Sequence, residues 1–261
     1  MKLVLFDLDH TLLPIDSDHA WGVFTNTLGW TDPVDFQRRN DAFYRQYQAG
    51  SLNMADYVRF ATEAIKRQGA AKSAAAHQQF MRSVIEPAIR PQALELVRSH
   101  QHAGDLVVIV TATNEFVTRP IAQRFGVAEL IAVELERDTS AGGSGWITGE
   151  IAGVPSAREG KVTRVAEWLQ HRALGWQDVQ STFYTDSIND LSLMETVHHP
   201  VATNPDAPLR AIAQARGWRI LDLFQAPLKA NSLARSQHPD FNDQKIHRQT
   251  AGQSLGPRQN Q

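Results

Sequence analysis

No cysteine occurs among the 261 residues. Disulfide staples, thiolate metal sites and cysteine nucleophiles are therefore excluded. Charge of one sign is also lacking. With 26 Lys and Arg against 28 Asp and Glu, the formal net charge is −2, which offers no electrostatic footprint for nucleic acid or an anionic membrane. Long hydrophobic runs are missing too: nothing approaches the ~18 apolar residues of a membrane helix. The N-terminal apolar run stops at Asp7, too short for the core of a signal peptide. The expectation is a cytoplasmic protein with no membrane and no nucleic-acid partner; no feature sets an oligomeric state. At 42% apolar and 21% charged the composition is that of an ordinary globular chain. Its length suits one large domain or a domain with an insertion.

What is present is organised. Leu3 to Phe6 is a continuous apolar run, as for a strand buried on both faces of a parallel sheet. Leu106 to Val110 repeats the pattern and ends on Thr111-Ala112-Thr113; Thr182 to Thr185 runs into Asp186. Weaker strand candidates are Leu130 to Leu135, Pro200 to Ala202 and Arg219 to Leu221. Helical patterns fall between them, at Pro120 to Phe125, Lys161 to His171, Asp190 to Thr196 and Leu209 to Ala215. Alternating strands and helices predict an α/β fold with a doubly wound parallel sheet.

One connection is too long for a single crossover helix. Between Phe6 and Leu106 the chain carries several helical patterns, with Asn53 placed to cap one and Gly50 and Gly69 punctuating two helix ends. Residues 15–86 are therefore expected to form an inserted helical domain, with Pro87 and Pro91 marking the return. Within it Trp21, Phe43, Tyr44, Tyr47 and Phe60 are expected to make the insertion's own core. Residues 1–14 and 87–228 would form the α/β core. Glycines 142, 143 and 145 predict a hairpin or flexible loop. Residues 229–261 are polar and aperiodic, a composition that predicts disorder.

Ligands bind beyond the carboxyl ends of strands in open α/β sheets. Asp7, Thr111 and Asp186 each follow a predicted strand, and Asp190 follows Asp186 at helical spacing. Three or four converging carboxylates repel unless a hard cation joins them, and an all-oxygen set suits Mg²⁺. Thr111 supplies a hydroxyl followed by backbone N–H groups expected to enter a helix, and Lys161 a positive charge at a helix start. Both suit a phosphate. A carboxylate nucleophile, Asp7, with a proton shuttle, Asp9, completes the requirements for phosphoryl transfer through an aspartyl-phosphate.

Asp7-Leu8-Asp9-His10-Thr11, Thr111, Lys161 and Asp186-Ser187-Ile188-Asn189-Asp190 together resemble, in order and spacing, the four motifs of haloacid dehalogenase-like phosphohydrolases. The helical insertion between the first two resembles the cap of the phosphoserine phosphatase-like subgroup. The resemblance covers about Lys2 to Leu223. It implies Asp7 as nucleophile and Asp9 as general acid and base. It further implies Mg²⁺ held by the Asp7 carboxylate, the Asp9 main-chain oxygen and Asp186, with Asp190 supporting the metal or Lys161. Phosphate would be bound by Thr111, Ala112, Lys161 and Asn189. Two departures stand out. Thr111-Ala112-Thr113 replaces the Ser-Gly-Gly usual in phosphoserine phosphatases, and Asp16 and Asp18 replace a glutamate that holds the substrate amine.

The expected activity is hydrolysis of a small-molecule phosphomonoester, phosphoserine or histidinol phosphate in kind. Alternatives are a phosphotransferase using a second alcohol and a non-catalytic phosphate-binding protein. The segment "GVPSAREGK" is not a nucleotide-binding phosphate loop: Pro155 stands where the first glycine belongs and Val162 where Ser or Thr belongs. His198 and His199 are expected at the surface rather than on a metal. Asp16 and Asp18 are open to two roles, helix caps or partners of a substrate ammonium, and Arg45 and Arg59 to pairing with a substrate carboxylate or plain surface placement.

Overall fold

The computed structural model describes residues 1–224, so the polar segment 229–261 lies outside the described residues. The chain opens with β1 (Lys2–Phe6), then α1 (Ser17–Thr27), α2 (Pro33–Gln48), α3 (Met54–Gln68) and α4 (Ala70–Phe80). One π-helical turn, Met81–Ile85, leads into α5 (Glu86–Ala88) and α6 (Pro91–His102). Then come β2 (Leu106–Asn114), α7 (Glu115–Arg124), β3 (Glu129–Val133), β4 (Leu135–Arg137), β5 (Ile147–Ile151) and α8 (Glu159–Gln170). The last elements are β6 (Gln180–Thr185), α9 (Leu191–Thr196), β7 (His199–Thr203), α10 (Ala207–Arg216) and β8 (Arg219–Leu221).

Six strands form one sheet in the order β3-β2-β1-β6-β7-β8, every pairing parallel. The period of two splits each central strand between two hydrophobic layers. Leu3 and Leu5 face Val165 and Leu169 of α8 and Leu209 of α10, whereas Val4 and Phe6 face Val97 of α6 and Ile121 of α7. Both layers are apolar, which is why the strand has no polar alternation. β4 and β5 pair antiparallel around the glycine-containing turn, as the hairpin expectation has it.

The connection between β1 and α6 is helical. Asp16, Asp32 and Asn53 cap α1, α2 and α3 through their side chains, and Gly50 and Gly69 adopt positive φ where helices end. Trp21 is buried against Phe24, His77, Phe80 and Phe116. Phe60 is buried too, and Phe43 is half-buried against Tyr57. Tyr44 and Tyr47 are exposed, contrary to their expected place in this core. Phe36 and Phe43 lie two turns apart on the packed face of α2; Tyr47 continues that stripe beyond the helices that cover it. Periodicity groups residues on a face but does not say how far the opposing surface extends.

β2 also runs further than expected, through Thr111 to Asn114, with its register against β3 breaking between Val110 and Asn114. The helix after Thr111 therefore begins only at Glu115. Thr111 sits on a strand rather than at a helix entrance.

Candidate active site

The chain builds the sheet outward from β1 to β3, then resumes on β1's other side with β6. Order reverses between β1 and β6, and in open α/β sheets ligands bind at such a point, beyond the carboxyl ends of the strands. Asp7 follows β1 and Asp186 follows β6, so both stand at this switch point; the Asp7 N–H donates to Tyr184 O at 2.9 Å.

Lys161 organises the centre. Its Nζ donates to Asp7 Oδ1 at 2.7 Å and to Asp190 Oδ2 at 2.6 Å, and the side chain is 2% exposed. Thr185 Oγ1 donates to the same Asp190 oxygen at 2.6 Å. Burial disfavours the Lys161 ammonium, but Asp190 and Asp7 outweigh it and its pKa rises. The Asp7 pKa rises as well. Burial pushes it up to about 6 despite Lys161. Asp186 is raised well above the usual carboxylate range, by burial first and then by Asp7. Thr11 Oγ1 lies 3.0 Å from Asp186 Oδ1, accepts the Asp186 N–H at 3.0 Å, and stands 3.4 Å from Asp7 Oδ2.

Asp9 is fixed from two elements: Ser17 N–H donates to Oδ1 and Thr113 Oγ1 to Oδ2, both at 2.9 Å. Burial and the neighbouring Asp16 raise its pKa well above normal. The loop carrying it turns tightly, with Leu12 and Leu13 N–H both donating to Leu8 O and His10 at φ 57°. Asn204 Nδ2 braces this turn on His10 O at 3.0 Å. A non-glycine residue in the left-handed region persists only where its surroundings hold it there.

Thr111 is buried beside these groups; its Oγ1 accepts the Thr113 N–H at 3.2 Å, and Ser156 Oγ donates to its carbonyl at 2.7 Å. Ala112 and Asn189 are half-buried. Asp16 and Asp18 separate. Asp16 is exposed and caps α1, accepting the His19 N–H at 2.9 Å. Asp18 is buried, accepts from Asn114 Nδ2 at 3.1 Å, and is pushed up to about 7 by burial and then Asp16. Arg59 is occupied with Asp56 and Glu150 at the surface, Arg45 is exposed, and so are His198 and His199.

Among the described residues no three acidic or histidine side chains converge as a ready-made metal cluster. The expected gathering of three or four carboxylates is instead divided by Lys161, whose single charge is shared between Asp7 and Asp190. Asp190 is thereby taken up by Lys161 and Thr185. What remains fits Mg²⁺, which takes one or two carboxylates and completes its shell with water and phosphate oxygens. Asp7 raises the Asp186 pKa by repulsion, and a hard cation between the two would relieve it. Sequence reasoning missed the groups that hold these residues: Thr113 and Ser17 on Asp9, Thr185 on Asp190, Ser156 on Thr111. Only Thr113 left a trace, two residues after Thr111 on one strand.

Comparison with known proteins bears on this arrangement. A family model described as haloacid dehalogenase-like hydrolase matches residues 4–195. A histidinol-phosphatase of Neisseria meningitidis serogroup C (strain 8013) is 40% identical over 222 residues, spanning 85% of this chain and 98% of that protein. A solved structure of a protein of unknown function from Bordetella pertussis Tohama I is 48% identical, with a TM-score of 0.80 over 85% of this chain and 99% of that one. A substrate-bound phosphoserine phosphatase shares the fold at 16% identity and a TM-score of 0.56, covering 85% of this chain and 92% of its own.

Proposed function

The chain belongs to the haloacid dehalogenase-like hydrolases, and on that premise we propose that it is a Mg²⁺-dependent phosphatase of a small amine-bearing phosphomonoester. The observation that carries this is the Asp7–Lys161–Asp190 arrangement at the switch point, with Asp9 held beside it. A pure phosphate binder has no use for a buried carboxylate beside a second one fixed for proton transfer.

In this reading Asp7 attacks phosphorus while the ester P–O bond breaks, and Asp9 gives its proton to the departing alkoxide. Asp9 then takes a proton from water, whose oxygen attacks the aspartyl-phosphate. Inorganic phosphate leaves and the Asp7 carboxylate is restored. Lys161, Thr111, the Ala112 backbone and Asn189 bind the phosphoryl oxygens, and Lys161 keeps Asp7 oriented from behind. The Asp7 and Asp186 carboxylates and the Asp9 main-chain oxygen would hold Mg²⁺, which supplies neutralising charge for those oxygens. Residues 15–86 act as a cap over the core, excluding bulk water from the first transfer.

The substrate reading takes Asp16, whose charge is felt by both Asp9 and Asp18, as the residue that faces the leaving group. A carboxylate there suits an ammonium. The full-length likeness to a protein named histidinol-phosphatase favours histidinol phosphate over phosphoserine. The test is phosphate release from histidinol phosphate, phosphoserine, glucose 6-phosphate and p-nitrophenyl phosphate, with Mg²⁺ and with EDTA. Histidinol phosphate should be fastest, EDTA should abolish release, and Asp16→Asn should erase roughly ten- to hundredfold of selectivity. Faster turnover of the sugar phosphate overturns the amine pocket; no release from any ester with Mg²⁺ overturns the phosphatase reading.

A further inference from the structure

The insertion is fastened to the α/β core unevenly. α1, α3 and α4 are tied by bonds that are buried or partly so: Asn114 Nδ2 to Asp18 Oδ1, Trp146 Nε1 to Ile65 O at 3.1 Å, and His77 Nε2 with Val117 O at 3.0 Å. α2 is different. Phe36 is its one fully buried hydrophobic side chain among the described residues, and its end meets the core through two exposed hydrogen bonds. Tyr47 Oη lies 3.0 Å from Ser187 Oγ, and Arg158 Nη1 donates to Gly50 O at 2.6 Å.

Both partners adjoin the catalytic groups. Ser187 caps the short turn Ile188–Asp190, its Oγ accepting the Asn189 N–H at 3.2 Å. That turn presents Asn189 and Asp190, and Asp190 holds Lys161, which holds Asp7. Arg158 lies three residues before Lys161 with φ 53° and ψ −126°, a conformation costly for any residue but glycine. Its Nη2 is shielded from solvent without a partner. A strained backbone and an unsatisfied donor at one residue mark a place held for a purpose other than stability.

We propose that Tyr47 is a positioning residue that couples the seating of α2 to the catalytic turn: its phenol fixes Ser187, and Ser187 fixes the turn presenting Asn189 and Asp190. Arg158 anchors the same helix end through Gly50. The phosphate side of the site is then fully ordered only while the end of α2 is in place. The kinetic consequence rests on the phosphatase reading; the structural coupling does not.

The test uses Tyr47→Phe, Ser187→Ala, their double variant and Ser187→Thr in the full chain, with p-nitrophenyl phosphate as probe. Each of the first two should lower kcat roughly fivefold, what one hydrogen bond carries, with KM within about twofold and an unchanged melting temperature. The double variant should be no worse than the poorer single one, because both remove the same link. Ser187→Thr keeps the hydroxyl and should retain wild-type kcat. Independently of turnover, hydrogen exchange at the Asn189 amide should quicken in Tyr47→Phe while α10 is unaffected. Additive losses, losses that track melting temperature, or an unchanged Asn189 amide each overturn the coupling. If the wild type releases no phosphate, the hydrolase reading falls and the exchange measurement still decides this one.

Discussion

Asp18→Asn should stabilise the protein at pH 8 and do far less at pH 4.5. Asp18 is only 7% exposed, bonded to Asn114 Nδ2, and burial raises its pKa from 3.8 to about 7. Folded chains therefore keep this proton until about pH 7, while unfolded chains release it near 3.8. The stabilising effect of that retained proton is complete below pH 3.8 and is lost as pH rises through about 7. At about 1.36 kcal/mol per pH unit, the interval from pH 4.5 to 7 amounts to ~3 kcal/mol. Asparagine has the size of the neutral acid, can still accept from Asn114, and does not titrate. The stability difference between variant and wild type should therefore grow by ~3 kcal/mol between the two pH values. For a domain of this size that is a relative gain of roughly 6–12 °C in melting temperature. Urea or thermal unfolding of both proteins at the two pH values measures it, and comparing variant with wild type cancels every other titrating group to first order. A difference that stays constant with pH would refute the reasoning. So would a variant less stable than wild type at pH 8, which would mean that the carboxylate is ionised and stabilised by its donors.

Asp7→Asn should abolish turnover on every ester while leaving the melting curve cooperative, since an amide cannot form the acyl phosphate; release of phosphate by a folded variant would sink the nucleophile assignment. Asp186→Ala should lose turnover together with any thermal stabilisation by millimolar Mg²⁺, read by comparing melting with and without the ion; a wild-type-like shift would place the metal elsewhere. Gly160→Ala should cost ~1–3 kcal/mol and reduce turnover, because the new methyl would stand 2.0 Å from Pro155 O and must push back the segment whose Ser156 holds Thr111. Unchanged unfolding and kinetics would show that this loop yields freely.

Legibility differed from residue to residue for physical reasons. Leu3 to Phe6 announced a central strand because both its faces meet apolar layers, and a strand so enclosed must end in polar residues at the sheet's edge. Asp7 and Asp186 were visible for that reason, each standing one residue past such a run. The extent of β2 was not visible: Thr111 to Asn114 look like a loop in sequence, but the pairing of Asn114 with Val133 of β3, beyond a break in register, carries the strand on. Tyr44 and Tyr47 misled because a helix stripe records direction, not the reach of what packs on it.

The local alphabet of this chain, runs, caps and carboxylates after strands, was enough to determine an α/β sheet with a helical insertion and to point to the sheet edge where we propose phosphoryl transfer. Those features depend on neighbours within a few residues, which sequence preserves. The divergent roles of Asp16 and Asp18, two residues apart, were decided by tertiary structure alone. One turns outward as a cap and the other inward to Asn114, nearly a hundred residues along the chain. Lys161 likewise owes its contacts to packing that brings residues 7, 161 and 190 within hydrogen-bond distance. Burial, and with it every perturbed pKa in the site, is a property of the assembled layers and is not carried by any one segment.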